Sequence, residues 1–143
     1  MKIEDIVSEW DKDSKIDETE LGTESTKIPA IHNKYLKVFM SENVQLKRMI
    51  AQRNKLKIKL MGYYLGEMDS EELEEFNRDQ FYKKLLKTEV ETYIEADDLF
   101  IEMNLKIVMQ EEKVNYLENV LKSINSRGFQ IKNAIDWIKF THG

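Results

Sequence analysis

The chain has 143 residues with no cysteine, a single proline and only five glycines. Without cysteine there is no disulfide, no thiolate nucleophile and no Cys-ligated zinc, and a reducing compartment is an acceptable home. So few turn-forming residues argue against a sheet-rich fold and for long helices. No uninterrupted apolar run approaches the ~18 residues that a bilayer span needs. The opening Met1-Lys2-Ile3-Glu4-Asp5-Ile6 has no apolar stretch of a secretory signal. The expectation is a soluble protein of the cytoplasm with no membrane contact. Chemistry is absent as well. There is no Gly-x-x-x-x-Gly-Lys-[Ser/Thr] phosphate loop, and the two histidines, His32 and His142, make no metal pair. Carboxylate pairs can be drawn anywhere among 27 acids, so they carry no case for acid–base catalysis. No catalytic residue, metal or cofactor is expected.

What the chain does have is a cationic stretch inside an acidic protein. From Asn43 to Gly66 there is no Asp or Glu, but there are Lys47, Arg48, Arg53, Lys55, Lys57 and Lys59. The whole chain carries −5, so the rest carries −11 (−5 minus 6). On a helical wheel Leu46, Met49, Ile50, Leu56, Leu60, Tyr63 and Tyr64 share one face, and Arg48, Lys55 and Lys59 lie opposite. Arg53 and Lys57 fall nearer the apolar arc, where their stems can run along a packing surface. Such charges are often only solvated. A stretch without one compensating acid is less ordinary, because intrahelical Glu–Lys pairs would relieve its repulsion. The pattern suits a polyanion. Tyr63 and Tyr64 either stack on unpaired bases or close a helix end against a neighbour. One such helix would bind nucleic acid weakly, with a Kd of about 10⁻⁴ to 10⁻⁶ M, and gathering several helices in an oligomer would raise the avidity. The stretch Leu46 to Tyr64 has no Trp or Phe to anchor it on a lipid surface.

Four segments follow from composition. Residues 1–27 are acidic, with Ile3, Ile6, Val7 and Trp10 spaced for a short amphipathic helix and an extended stretch from Asp11 to Lys27. Residues 28–66 hold the basic helix, expected over about 30–62 with Pro29 in its first turn. Residues 67–79 form an acidic connector in which Asp69 or Ser70 can cap a short helix, without the residue order of a calcium loop. Residues 80–143 carry a heptad pattern, cleanest at Val114, Leu117, Leu121, Ile124, Ile131, Ile135 and Ile138. That second long helix is expected to start near Asp79 and to break near Ser126-Arg127-Gly128. Its seam exceeds what a 33-residue partner helix covers, which points to self-association. The expected fold is all-α, with two long helices and a short N-terminal one, assembling through a C-terminal coiled coil into a ring-like homo-oligomer. A structural coiled-coil or tail-assembly protein with a basic partner-binding helix is the alternative.

Three runs, in this order and spacing, resemble the UvsY family of recombination mediators from tailed bacteriophages: Ile28-Pro29-Ala30-Ile31-His32-Asn33-Lys34-Tyr35-Leu36, Leu56-Lys57-Ile58-Lys59-Leu60-Met61-Gly62-Tyr63-Tyr64, and Ser126-Arg127-Gly128-Phe129-Gln130-Ile131-Lys132-Asn133-Ala134-Ile135-Asp136-Trp137. The likeness extends over nearly the whole chain. It implies a non-catalytic, ring-forming protein, a hexamer or heptamer, acting in the phage's host. Its implied partners are single-stranded DNA, the phage RecA-like recombinase and the phage single-strand-binding protein. It also implies that the DNA-binding motif falls on Lys57 and Lys59 and that the C-terminal helix serves self-association. Lys59 stands where the family motif has Arg, which keeps the charge and loses the bidentate fork.

Overall fold

The computed structural model describes residues 1–143 and contains five helices and no strand: α1 (Ile3–Asp13), α2 (Leu21–Tyr64), α3 (Ser70–Glu75), α4 (Lys87–Glu95) and α5 (Asp98–His142). The chain divides into two compact units, residues 1–44 with 110–143, and residues 45–109. No helix is long and apolar enough to cross a membrane.

In the first unit, Ile6 of α1, Tyr35 of α2 and Leu117, Val120 and Ile124 of α5 form the core, flanked by Trp10, Ile28, Ile31, Val38, Phe39, Tyr116 and Leu121. Burying each large aliphatic side chain contributes about 1.5–3 kcal/mol. Trp10 meets Tyr35 edge to face at 5.4 Å. The Tyr35 hydroxyl donates to Asp13 Oδ2 at 2.7 Å, and Lys34 Nζ reaches Asp13 and Glu9 at 2.6 and 2.7 Å. Burial pushes the Asp13 carboxyl up, but the bonds from Lys34 and Tyr35 outweigh it and hold the group below its usual range. Gln110, a polar residue in the heptad, is buried and donates from Nε2 to both the backbone carbonyl and the Oε2 of Glu42 at 2.8 Å.

Three boundaries differ from expectation. Residues 21–27 are helical, so α2 is 44 residues long and Pro29 lies inside it. Leu21 and Glu24 are buried and anchor the extra turns. Pro29 and Ser25, whose carbonyl loses its donor, are both exposed, so water meets that carbonyl. Residues 79–86 are not helical, and the chain stops again at Ala96-Asp97 before α5 begins. Asp97 causes that stop: its Oδ1 accepts from Leu99 N at 3.0 Å, capping α5. The third difference is that α5 runs unbroken through Gly128, which lies on an exposed face with open space where a Cβ would be. Arg127 turns inward in its place, 3% exposed, donating from Nη1 to Asp13 O at 2.6 Å and from Nη2 to Lys15 O and Glu24 Oε2 at 3.1 and 3.2 Å.

The heptad residues assigned to self-association are largely used within the chain. Leu117 and Ile124 sit at the core centre, Leu121 packs beside them, and Val114 and Ile131 are buried. The reason is that two elements share the seam: Ile6 and Trp10 of α1 pack against it together with Ile28, Ile31, Tyr35, Val38 and Phe39 of α2. Ile135 is half-buried, and Ile138 stays exposed with Phe129, Trp137 and Phe140.

Candidate nucleic-acid interface

The second unit centres on Leu60, Val90, Ile94 and Phe100, with Leu56, Tyr64, Phe76 and Leu85 packed around them. Leu56, Leu60 and Tyr64 recur every four residues along α2, so this apolar stripe fixes which way the cations face. Arg48, Lys55 and Lys59 occupy the opposite side, all exposed. Arg48 and Lys55 make no hydrogen bond or ion pair within the chain, and neither does Lys47. From Arg48 to Lys59 the row rises about 16 Å at 1.5 Å per residue. Ile58, 72% exposed, lies beside it.

Arg53 and Lys57, expected in the same role, turn toward the unit's own helices. Arg53 Nη1 donates to Asn104 Oδ1 at 3.2 Å, and Lys57 Nζ meets Glu91 at 3.3 Å. The latter pair is solvent-exposed, so it holds Lys57 only weakly. Lys59 keeps its charge in solvent but rests over the Phe76 ring at 4.5 Å, a cation–π contact.

The end of α2 is built by a Schellman cap. Gly66 has φ of +71°, Glu67 N bonds to Gly62 O at 3.0 Å, and Gly66 N to Tyr63 O at 3.1 Å. Asp69, one of the two expected caps, then caps α3 by accepting from Glu72 N at 2.8 Å. A second left-handed residue, Asn77 at φ 54°, ends α3 and brings Arg78 N to Leu73 O at 3.1 Å. The chain reversal delivers Arg78 to Asp97: Nη1 donates to Oδ2 at 2.6 Å and Nη2 to Oδ1 at 2.9 Å, a bidentate fork.

Tyr63 and Tyr64 are not free platforms. They meet edge to face at 5.0 Å, Tyr64 touches Phe81 at 5.0 Å and Tyr93 at 5.6 Å, and Tyr63 touches Phe76 at 6.0 Å. The Tyr63 hydroxyl donates to Asp79 O at 3.0 Å, and that of Tyr64 to Asp97 Oδ2 at 2.6 Å. Burial and the Asp97 carboxylate push the Tyr64 hydroxyl up to about 12. Burial also raises Asp97, but its bonds from Arg78, Tyr64 and Leu99 N prevail and hold it below the usual carboxylate range. Arg78, over the rings of Tyr63 at 4.9 Å and Phe76 at 4.6 Å, was not among the expected site residues, nor were Phe81 and Tyr93. The only signal for Arg78 and Phe81 was the switch from acidic connector to the Phe76-x-Arg78-x-x-Phe81-Tyr82-Lys83-Lys84 run. No group of three or more His, Asp or Glu gathers here or elsewhere to hold a metal ion.

Residues 9–143 match the family described as recombination, repair and ssDNA binding protein UvsY. The chain belongs to the UvsY family. The recombination protein uvsY of Enterobacteria phage T4 is 28% identical over 143 residues, spanning all of this chain and 99% of that protein. A crystal structure of the bacteriophage T4 recombination mediator protein UvsY, lattice type II, superposes with a TM-score of 0.84 at 27% identity, covering 100% of this chain and 99% of that one. The lattice type IV crystal structure gives 0.84 at 26% identity over 98% and 99% of the two chains. This UvsY-family chain therefore shares the all-α fold of its phage T4 relative over its whole length, in a family of recombination, repair and single-stranded-DNA-binding proteins.

Proposed function

We propose that this chain is a recombination mediator. It binds single-stranded DNA through the outward row Arg48, Lys55 and Lys59, with Lys57 and Arg53 joining once their internal contacts open. It acts as a homo-oligomer, a hexamer or heptamer, joined through the apolar residues at the end of α5. In that form it helps a RecA-like recombinase load onto DNA covered by the single-strand-binding protein, in homologous recombination, repair and recombination-dependent replication. The observation that carries this reading is the acid-free, outward-facing cationic row on a chain of the UvsY family that is otherwise strongly acidic.

The mechanism is electrostatic and geometric. Backbone phosphates displace counterions along the row, and copies of the row around an assembly impose a wound path on the strand. Winding weakens the hold of the resident protein and presents bare DNA to the recombinase. The test is fluorescence anisotropy of a labelled single-stranded oligonucleotide across a salt series, with Arg48→Gln, Lys55→Gln and Lys59→Gln combined. Each lost phosphate contact should reduce the slope of log K against log salt by about 0.7, so the triple variant should lose about 2 for every protomer that contacts the strand. Sedimentation should report an unchanged assembly size. An unchanged slope would reject this face as the strand-binding surface.

A further inference from the structure

At the C-terminal end of α2 the aromatic side of the second unit forms an open cleft of about 450 Å³. This size lies within the range of small-molecule sites. Tyr63, Phe81 and Tyr93, all half-buried, form its aromatic walls, and Arg78, Asp97 and Asp98 supply its polar edge. Building on the strand-binding reading above, we propose that this cavity takes one unpaired nucleobase of the bound strand, and that it favours a base with an exocyclic amine.

Three features converge on this occupant. Phe81 is the wall that carries no cation, while Arg78 lies over the Tyr63 ring at 4.9 Å and Lys83 over that of Tyr93 at 5.4 Å, and aromatic and guanidinium planes both hold a base by stacking. Lys59 rests over the Phe76 ring at 4.5 Å and Phe76 meets the wall residue Tyr63 at 6.0 Å, so a strand leaving the row at Lys59 has a short path to the mouth. The polar edge is acceptor-rich where it is free. Asp97 is saturated, since Oδ1 accepts from Arg78 and Leu99 N, and Oδ2 from Arg78 and Tyr64. Asp98 lines the same cavity, is exposed, and has no partner within the chain. A free carboxylate excludes phosphate from the cavity, which leaves the backbone on α2. It accepts readily from the N4 amine of cytosine. Thymine offers O4 at that position and meets repulsion.

The test compares binding of three single-stranded 20-mers at fixed salt: oligo(dC), oligo(dT) and a fully abasic backbone. The wild-type chain should bind oligo(dC) at least about 5-fold more tightly than the abasic strand, the lower bound of one stacked base, and more tightly than oligo(dT). Phe81→Leu with Tyr93→Leu should lose the advantage of the base-bearing strands and keep the abasic affinity. Asp98→Asn, an exposed change that leaves the aromatic packing alone, should bring oligo(dT) level with oligo(dC). An excess of free deoxycytidine should not compete, because the base gains its affinity from the tethered backbone; efficient competition would make this a nucleoside site and overturn the proposal. Equal wild-type affinity for all three strands would overturn the cavity and leave strand binding standing. Failure to bind any of them would reject strand binding, and the cavity with it.

Discussion

Replacing Arg127 by Met isolates what a buried cation does in this fold. The guanidinium holds three acceptors, Asp13 O, Lys15 O and Glu24 Oε2, at 2.6, 3.1 and 3.2 Å. Its side chain is 3% exposed and that of Glu24 is 8% exposed. Met fills a similar volume with no charge. Glu24 then keeps only Lys27 at 3.3 Å, an exposed partner, and two backbone carbonyls lose their donors. Removing one member of a buried pair costs about 3–5 kcal/mol. Lys27 moderates the loss, which places the expected destabilisation at about 3 kcal/mol, or roughly 10 °C in Tm for a chain of this size. Urea unfolding followed by helical circular dichroism measures it. The double variant Arg127→Met with Glu24→Met should recover part of the loss, since the orphaned carboxylate is gone, but not all, because the carbonyls of Asp13 and Lys15 remain unpaired. Hydrogen exchange should also quicken across residues 13–21, which the guanidinium ties to α5. A cost below about 1 kcal/mol, the scale of a surface pair, would refute the claim that this contact holds the α1–α2 connection.

Gly128→Ala should stabilise the chain by about 0.5–1 kcal/mol, because the position is inside an unbroken helix and open to solvent; a loss in Tm would show that the break expected from the sequence exists in solution. Acid should unfold the second unit through Asp97. Its folded-state pKa is depressed, so below its unfolded value of about 3.9 the unfolded chain binds more protons and stability falls with pH. In a pH series of unfolding free energies, Asp97→Asn should lower stability at neutral pH and flatten this acid limb, whereas an unaltered limb would place the acid sensitivity elsewhere.

The sequence was most legible where local chemistry and packing agree. Ile3, Ile6, Val7 and Trp10 marked α1 because their period matches the face that the core buries. Asp69 or Ser70 marked a helix start because a short polar side chain there can accept from the first turn, and Asp69 does so. Long-range partners hid the rest. Residues 21–27 look like a polar linker until Arg127, a hundred residues away, is seen to neutralise Glu24. Asp97 reads as one more acid in a heptad until Arg78 and Tyr64 reach it and make it a cap. For the candidate site, the outward Arg48, Lys55 and Lys59 followed from a helical wheel. The inward contacts of Arg53 and Lys57 were visible only as a lean toward the apolar arc. The packing of Tyr63 and Tyr64 was one of two readings, and choosing between them required Phe81, from a stretch outside any helix, and Tyr93, whose place in the heptad pattern pointed to a seam and not to these tyrosines.

The pairing of Lys57 with Glu91, and of Lys59 with the Phe76 ring, gives these two cations occupants before any strand arrives. Glu91 offers Lys57 a carboxylate that any incoming anion would have to displace. An exposed pair of this kind opens easily, so on the proposed reading each copy would trade a firm hold for a quick release, and the grip would come from the number of copies engaged.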